Sequence, residues 1–104
     1  EVTLTEKDSG KSILIEVGDT LNVVLHGNPT TGYTWSLATF DDTRLKLTET
    51  SYHSSSNRCG AGGLFTFQFT PVSSGTTPLA LEYSRSWEKG VPPHSTFESL
   101  IEIR

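Results

Sequence analysis

Along almost the whole chain, apolar residues recur at every second position. Ile13, Ile15 and Val17 fall on one side of a segment whose other side carries Leu14 and Glu16. A Gly18-Asp19 turn follows, and Leu21, Val23 and Leu25 alternate again, so the two segments read as hairpin partners. Tyr33, Trp35 and Leu37 are separated by Thr34 and Ser36, and Leu45 and Leu47 mark a short strand ending near Thr50 or Ser51. Phe65, Phe67 and Phe69 form an aromatic face opposite Thr66 and Gln68. Leu79, Leu81 and Tyr83 alternate with Ala80 and Glu82, and Phe97, Ser99, Ile101 and Ile103 close the series. Val2 and Leu4 add a candidate edge strand, open to pairing with another chain.

A period of two gives each strand one buried and one wet face. Seven or eight such strands must press their apolar faces together as two sheets. The expected architecture is an all-β, immunoglobulin-like β-sandwich, antiparallel-rich, with residues 1–104 as one domain. The Cys…Trp…Cys signature of antibody domains is absent. Asp41-Asp42 before Thr43 reads as the start of a short helical turn between the sheets, and Ser54-Ser55-Ser56-Asn57 reads as a loop.

Composition narrows the function classes. The chain has 104 residues and formal charge −4, from 8 Lys+Arg against 12 Asp+Glu, so no electrostatic footprint for nucleic acid is expected. The longest apolar runs are three residues, Ile13-Leu14-Ile15 and Val23-Val24-Leu25 among them, so no transmembrane helix and no membrane partner is expected. With one cysteine, Cys59, neither an intrachain disulfide nor a Cys-rich metal site is available, and a reducing compartment is slightly favoured. There is no methionine, so Glu1 is not expected to open the reading frame, which leaves a removed leader segment open.

Three loops carry unusual chemistry. In Asn28-Pro29-Thr30-Thr31-Gly32, leading into Tyr33, proline fixes its own φ and biases Asn28 toward extended backbone, while Gly32 permits positive φ. This predicts a stiff loop with hydroxyl-bearing residues at its tip; an ordinary turn is the plain alternative. In Cys59-Gly60-Ala61-Gly62-Gly63 the glycines leave main-chain groups unshielded for close approach to a partner. A phosphate-cradling loop is excluded there, because a strand and no helix follows; a flexible hairpin loop is the alternative. Arg85-Ser86-Trp87, before Glu88-Lys89-Gly90-Val91-Pro92-Pro93, joins the two side chains most enriched at interface hot spots. Trp87 is either exposed or folded back as a plug over the sandwich end.

Taken together and in this order, Asn-Pro-Thr-Thr-Gly-Tyr-x-Trp, Gly-x-Gly-Gly and Arg-x-Trp resemble the chagasin family, inhibitors of papain-like cysteine proteases with an immunoglobulin-like fold. The motifs span Asn28 to Trp87, and the strand pattern fits on both sides. One departure is plain: the family's third motif usually reads Arg-Pro-Trp, and Ser86 stands in the proline's place.

The resemblance implies a reversible, competitive inhibitor of cathepsin L or B type proteases, the organism's own or a host's, with no enzymatic activity and no cofactor. The three loops would form a wedge, with Asn28, Pro29, Thr30, Thr31 and Gly32 across the catalytic centre and Tyr33 flanking them in the protease-binding surface. Gly60, Ala61, Gly62 and Gly63 would run along the unprimed side, and Arg85, Ser86 and Trp87 would pack at the primed side. The free inhibitor is expected to be a monomer. Cys59 reads as an unreactive thiol, and nothing in the sequence brings His26, His53 or His94 beside it, or joins two of these with Asp41 or Asp42 as a metal site. The competing reading is an immunoglobulin-like adhesion module using the same loops. An enzyme is the weakest, since no acid, base and nucleophile set converges.

Overall fold

The structure is a computed structural model in which residues 1–54 and 62–104 are described. Eight strands form: β1 (Val2–Leu4), β2 (Ser12–Ile15), β3 (Leu21–Gly27), β4 (Thr34–Thr39), β5 (Leu45–Ser54), β6 (Gly63–Pro71), β7 (Gly75–Ser84) and β8 (Ser95–Ile103). Short 3-10 turns at Glu6–Asp8 and Pro29–Thr31 are the helical elements among the described residues. No helix there is long and apolar enough to cross a membrane.

The strands build two four-stranded sheets, ordered β1-β3-β6-β5 and β2-β8-β7-β4. The alternating residues meet between them as one core: Leu21, Val23, Leu25, Phe65, Phe67 and Phe69 from the first sheet, and Trp35, Leu79, Leu81, Phe97, Ile101 and Ile103 from the second. Among the described residues the two buried polar side chains, Thr77 and Ser99, are satisfied. Thr77 Oγ1 accepts from Asp41 N and donates to the Pro78 carbonyl, and Ser99 Oγ donates to the Lys11 carbonyl.

The expected hairpin around Gly18-Asp19 does not form. β2 pairs in parallel with β8, whereas β3 pairs with β6 and, in parallel, with β1. The chain leaves one sheet at Gly18, whose φ is 87°, and enters the other. Ile15 and Leu21 both point inward, so a crossing and a hairpin present the same alternation in sequence. Val17 also departs from expectation: β2 ends at Ile15, and Val17 is 48 % exposed. Its amide still bonds to the carbonyl of Arg104.

β5 runs past the expected end to Ser54. The register slips between Leu47 and Glu49, so Leu45 and Leu47 pair with Pro71 and Phe69, while Thr50 and Tyr52 pair with Phe67 and Phe65. This bulge shifts the inward positions by one and hides the second half of the strand from a period-two search. Asp41 opens a single hydrogen-bonded turn between the sheets, where the sequence placed a short helical turn. Its carbonyl accepts from Arg44 N and Leu45 N, and its carboxylate accepts from the amide and hydroxyl of Thr43.

The topology brings to one pole the strand ends from which the three unusual motifs depart. Gly27, the end of β3, pairs with Gly63, and Gly63 pairs with Ser54. In the other sheet Thr34 pairs with Ser84, and Tyr83 with Ser95. The β3–β4, β5–β6 and β7–β8 connections therefore all leave the same end of the sandwich.

The inward and outward faces make a direct prediction. Phe69, fully buried and edge-on to Phe40 at 5.8 Å, should lose about 3–5 kcal/mol of stability on Phe69→Ala. Leu14→Ser, on the outer face of β2, should change stability by less than about 1 kcal/mol. Urea unfolding of the two variants measures both, and similar losses would contradict the assignment of faces.

Candidate functional site

The first loop is held by its own side chains. Asn28 is extended (φ −136°, ψ 95°), and Pro29 opens a 3-10 turn that ends at Gly32 with φ 86°. Both features follow from the residue types. The Asn28 carboxamide oxygen accepts from Thr30 N at 3.1 Å and from Thr30 Oγ1 at 2.6 Å. Thr31 donates its hydroxyl to the Asn28 carbonyl at 2.7 Å. The hydroxyls expected at the tip thus spend their protons closing the loop, although Thr30 and Thr31 themselves remain exposed.

The third loop leans on the first. Glu88 N donates to the Arg85 carbonyl, closing a β-turn with Ser86 and Trp87 at its two central positions. Trp87 is 64 % exposed, so it is no plug for the core. Its indole lies against Gly32, where a Cβ would run into the ring. Gly32 thus serves twice, adopting the left-handed conformation and leaving room for the indole.

Arg85 ties the two loops together. Its Nε donates to the Thr31 carbonyl at 3.0 Å. Its guanidinium stacks 4.3 Å over the Tyr33 ring and lies 6.0 Å from the Trp87 ring, with Glu88 at ion-pair distance. Beneath it the aromatic stack continues. Tyr33 stacks on Tyr83 at 5.2 Å, Tyr83 meets Trp35 at 5.1 Å, and His94 abuts both tyrosines. Trp35, almost fully buried, donates its indole N–H to the His26 carbonyl. A column therefore runs from solvent at Trp87 down to the core at Trp35.

Of the second loop, Cys59, Gly60 and Ala61 lie outside the described residues. Gly63 is buried as the first residue of β6, paired with Gly27 and Ser54. Its main chain is engaged in the sheet, contrary to the expectation of unshielded backbone throughout the motif. A Cβ there would strike the His53 carbonyl and the Tyr52 hydroxyl, so glycine is needed for packing. Gly62 sits just beyond the sheet, close to the Gly27 carbonyl.

Near the end of β3, His26 pairs with Glu6, Nδ1 to Oε1 at 2.8 Å, and the His26 amide donates to the same oxygen. Partial burial opposes ionisation of Glu6, but hydrogen bonds from the His26 amide, the Glu6 backbone and the His26 ring together hold the carboxyl below its ordinary range. His26 meets the Glu6 carboxylate and His94 Nδ1 lies 3.0 Å from the hydroxyl of its chain neighbour Ser95. No group of three His, Cys, Asp or Glu able to hold a metal occurs among the described residues.

Tyr83 is the residue at this pole that the pattern alone does not single out. Alternation marks it as an inward strand position, and it is partly buried. The available signal was phase: Tyr83, Arg85 and Trp87 fall two residues apart.

One consequence concerns Gly32. Gly32→Ala should cost about 1–2 kcal/mol from positive φ and displace the Trp87 indole. Indole N–H chemical shifts report it: the Trp87 signal should move and that of Trp35 should stay. An unmoved Trp87 signal would contradict the packing of the indole on Gly32.

Residues 15–101 match the chagasin family of peptidase inhibitors. The chain is 33 % identical to Amoebiasin-2 of Entamoeba histolytica over 104 residues, covering 97 % of this chain and 84 % of the relative. The crystal structure of the cysteine protease inhibitor EhICP2 from Entamoeba histolytica superposes with a TM-score of 0.90 at 30 % identity, over 99 % of this chain and 96 % of that one. PbICP-C, solved in complex with falcipain-2, has the same fold, with a TM-score of 0.77 at 14 % identity over the full length of both chains.

Proposed function

The chain belongs to the chagasin family and is a cysteine protease inhibitor rather than an enzyme, and from that premise we propose that its three-loop pole is the surface that plugs the cleft of a papain-like protease, reversibly and by competition with substrate. The observation that carries this reading is the exposed Trp87 indole braced on Gly32, which gives two loops one continuous leading edge. PbICP-C, which shares the fold, is seen in complex with falcipain-2, in keeping with the molecule acting as one half of a protein complex.

Each part has a role suited to its chemistry. Asn28, Pro29, Thr30, Thr31 and Gly32 lie across the catalytic centre, with Tyr33 flanking them. This loop is already closed by its own hydrogen bonds, so it loses little entropy on docking. Gly60, Ala61 and Gly62 run beside bound-substrate positions and bond through their main chain, with Gly63 as the anchor in the sheet. Trp87 fills an apolar shelf, while Arg85 and the turn at Ser86 hold it. Together the loops suit an interface of about 800 Å² per partner, usual for protease–inhibitor complexes. No covalent step is required of this chain.

Three variants test the assignment against papain. Trp87→Ala should weaken inhibition by about thirtyfold or more with little change in melting temperature. Full inhibition by a folded variant would remove Trp87 as an anchor. Replacing Thr30 and Thr31 together by phenylalanine should obstruct entry to the cleft; an unchanged inhibition constant would take the first loop out of the interface. Ser86→Pro should bind equally well or more tightly, because proline suits the second position of a β-turn. A large loss there would mean that this loop docks in a shape serine alone permits.

A further inference from the structure

Resting on the reading of this pole as the protease-binding surface, we propose that Tyr83 is a positioning residue that holds the first loop in its inhibitory shape. Tyr83 lies one residue from the end of β7, under the wedge rather than at its tip. Its hydroxyl accepts the amide hydrogen of Asn28 at 2.7 Å. Asn28 is the first residue beyond β3, and Pro29 carries no N–H. The Asn28 amide is therefore the last main-chain donor by which the loop's start is fixed before Thr30. Asn28 is also the residue whose side chain and carbonyl close the turn.

The tyrosine ring is built into its place. It packs between Tyr33 and Trp35, with His94 at its edge. The first sheet makes room for it: a Cβ on Gly27 would come within 2.9 Å of Tyr83 Cε1 and 2.7 Å of Phe65 Cε1. The strand is thus bare of side chain where the ring crosses it. A second tether leaves the same segment two residues later, from Arg85 Nε to the Thr31 carbonyl. The loop is gripped at its start through Asn28 and at its end through Thr31, both times by the segment that closes β7 and leads into the Trp87 turn. Tyr83 contributes the start, and it does so through one oxygen atom.

Tyr83→Phe removes that atom and keeps the ring. The experiment measures inhibition of papain, thermal melting and amide hydrogen exchange on this variant, with Trp87→Ala alongside. The inference expects inhibition weaker by about tenfold, melting within a few degrees of the parent, and faster exchange confined to Asn28 through Gly32. Undiminished inhibition by Tyr83→Phe, with Trp87→Ala impaired, would overturn the role of Tyr83 and leave the three-loop reading intact. Undiminished inhibition by both would overturn the two together. Weaker inhibition with exchange accelerated throughout β3 and β6 would mark Tyr83 as an ordinary structural residue and overturn the inference as well.

Discussion

The pole that carries the Asn28–Gly32 and Arg85–Trp87 loops depends on a stack of side chains that bridges two sheets sharing no ladder. β3 and β4 belong to different sheets, and the chain passes between them through Asn28–Tyr33. No ladder spans that gap. Trp35, Tyr83, Tyr33 and Arg85 fill it in sequence, each in contact with the next. Such aromatic and cation contacts are individually worth about 0.5–1.5 kcal/mol, but they are directional. Their effect is to turn a crossing segment, the place where a sandwich is ordinarily loosest, into a fixed edge.

Glycine makes this possible at two points for two reasons. Gly27 is bare because rings from Phe65 and Tyr83 occupy the space of a side chain. Gly32 is bare because the indole of Trp87 does so, and because its backbone is left-handed. At each point a glycine, at the end of β3 or on the first loop, accepts a ring carried across the gap by β7 or by the turn that follows it. The motif residues therefore interlock, and the spacing of glycine and tryptophan along the chain records a contact in space.

Much of this was legible in sequence, because period-two alternation reports which side chains face inward. It identified the Phe65-Phe67-Phe69 face, the Leu79-Leu81 face and the β-sandwich. It was silent on which strand sits beside which, since an inward residue is inward whatever its neighbour, and so Gly18-Asp19 read as a hairpin where the chain crosses between sheets. The bulge at Thr48 hid half of β5 for a related reason, because one extra residue reverses the phase. At the site, the geometry of Asn28, Pro29 and Gly32 followed from local backbone preference. The tie from Tyr83 to Asn28 spans 55 positions and left no local trace.

The exchange of the family's usual proline for Ser86 fits this picture. A proline stiffens a turn from within, by fixing φ. Here the turn is also stiffened from outside: Arg85 is bonded to Thr31, stacked on Tyr33 and paired with Glu88, while Trp87 rests on Gly32. Both neighbours of Ser86 are thus held by contacts beyond the turn. The conformational entropy that serine retains in the unfolded chain, about 1 kcal/mol at most relative to proline, is a cost on folding rather than on docking. Once Arg85 and Trp87 are seated, little freedom remains for residue 86 to lose in any further contact.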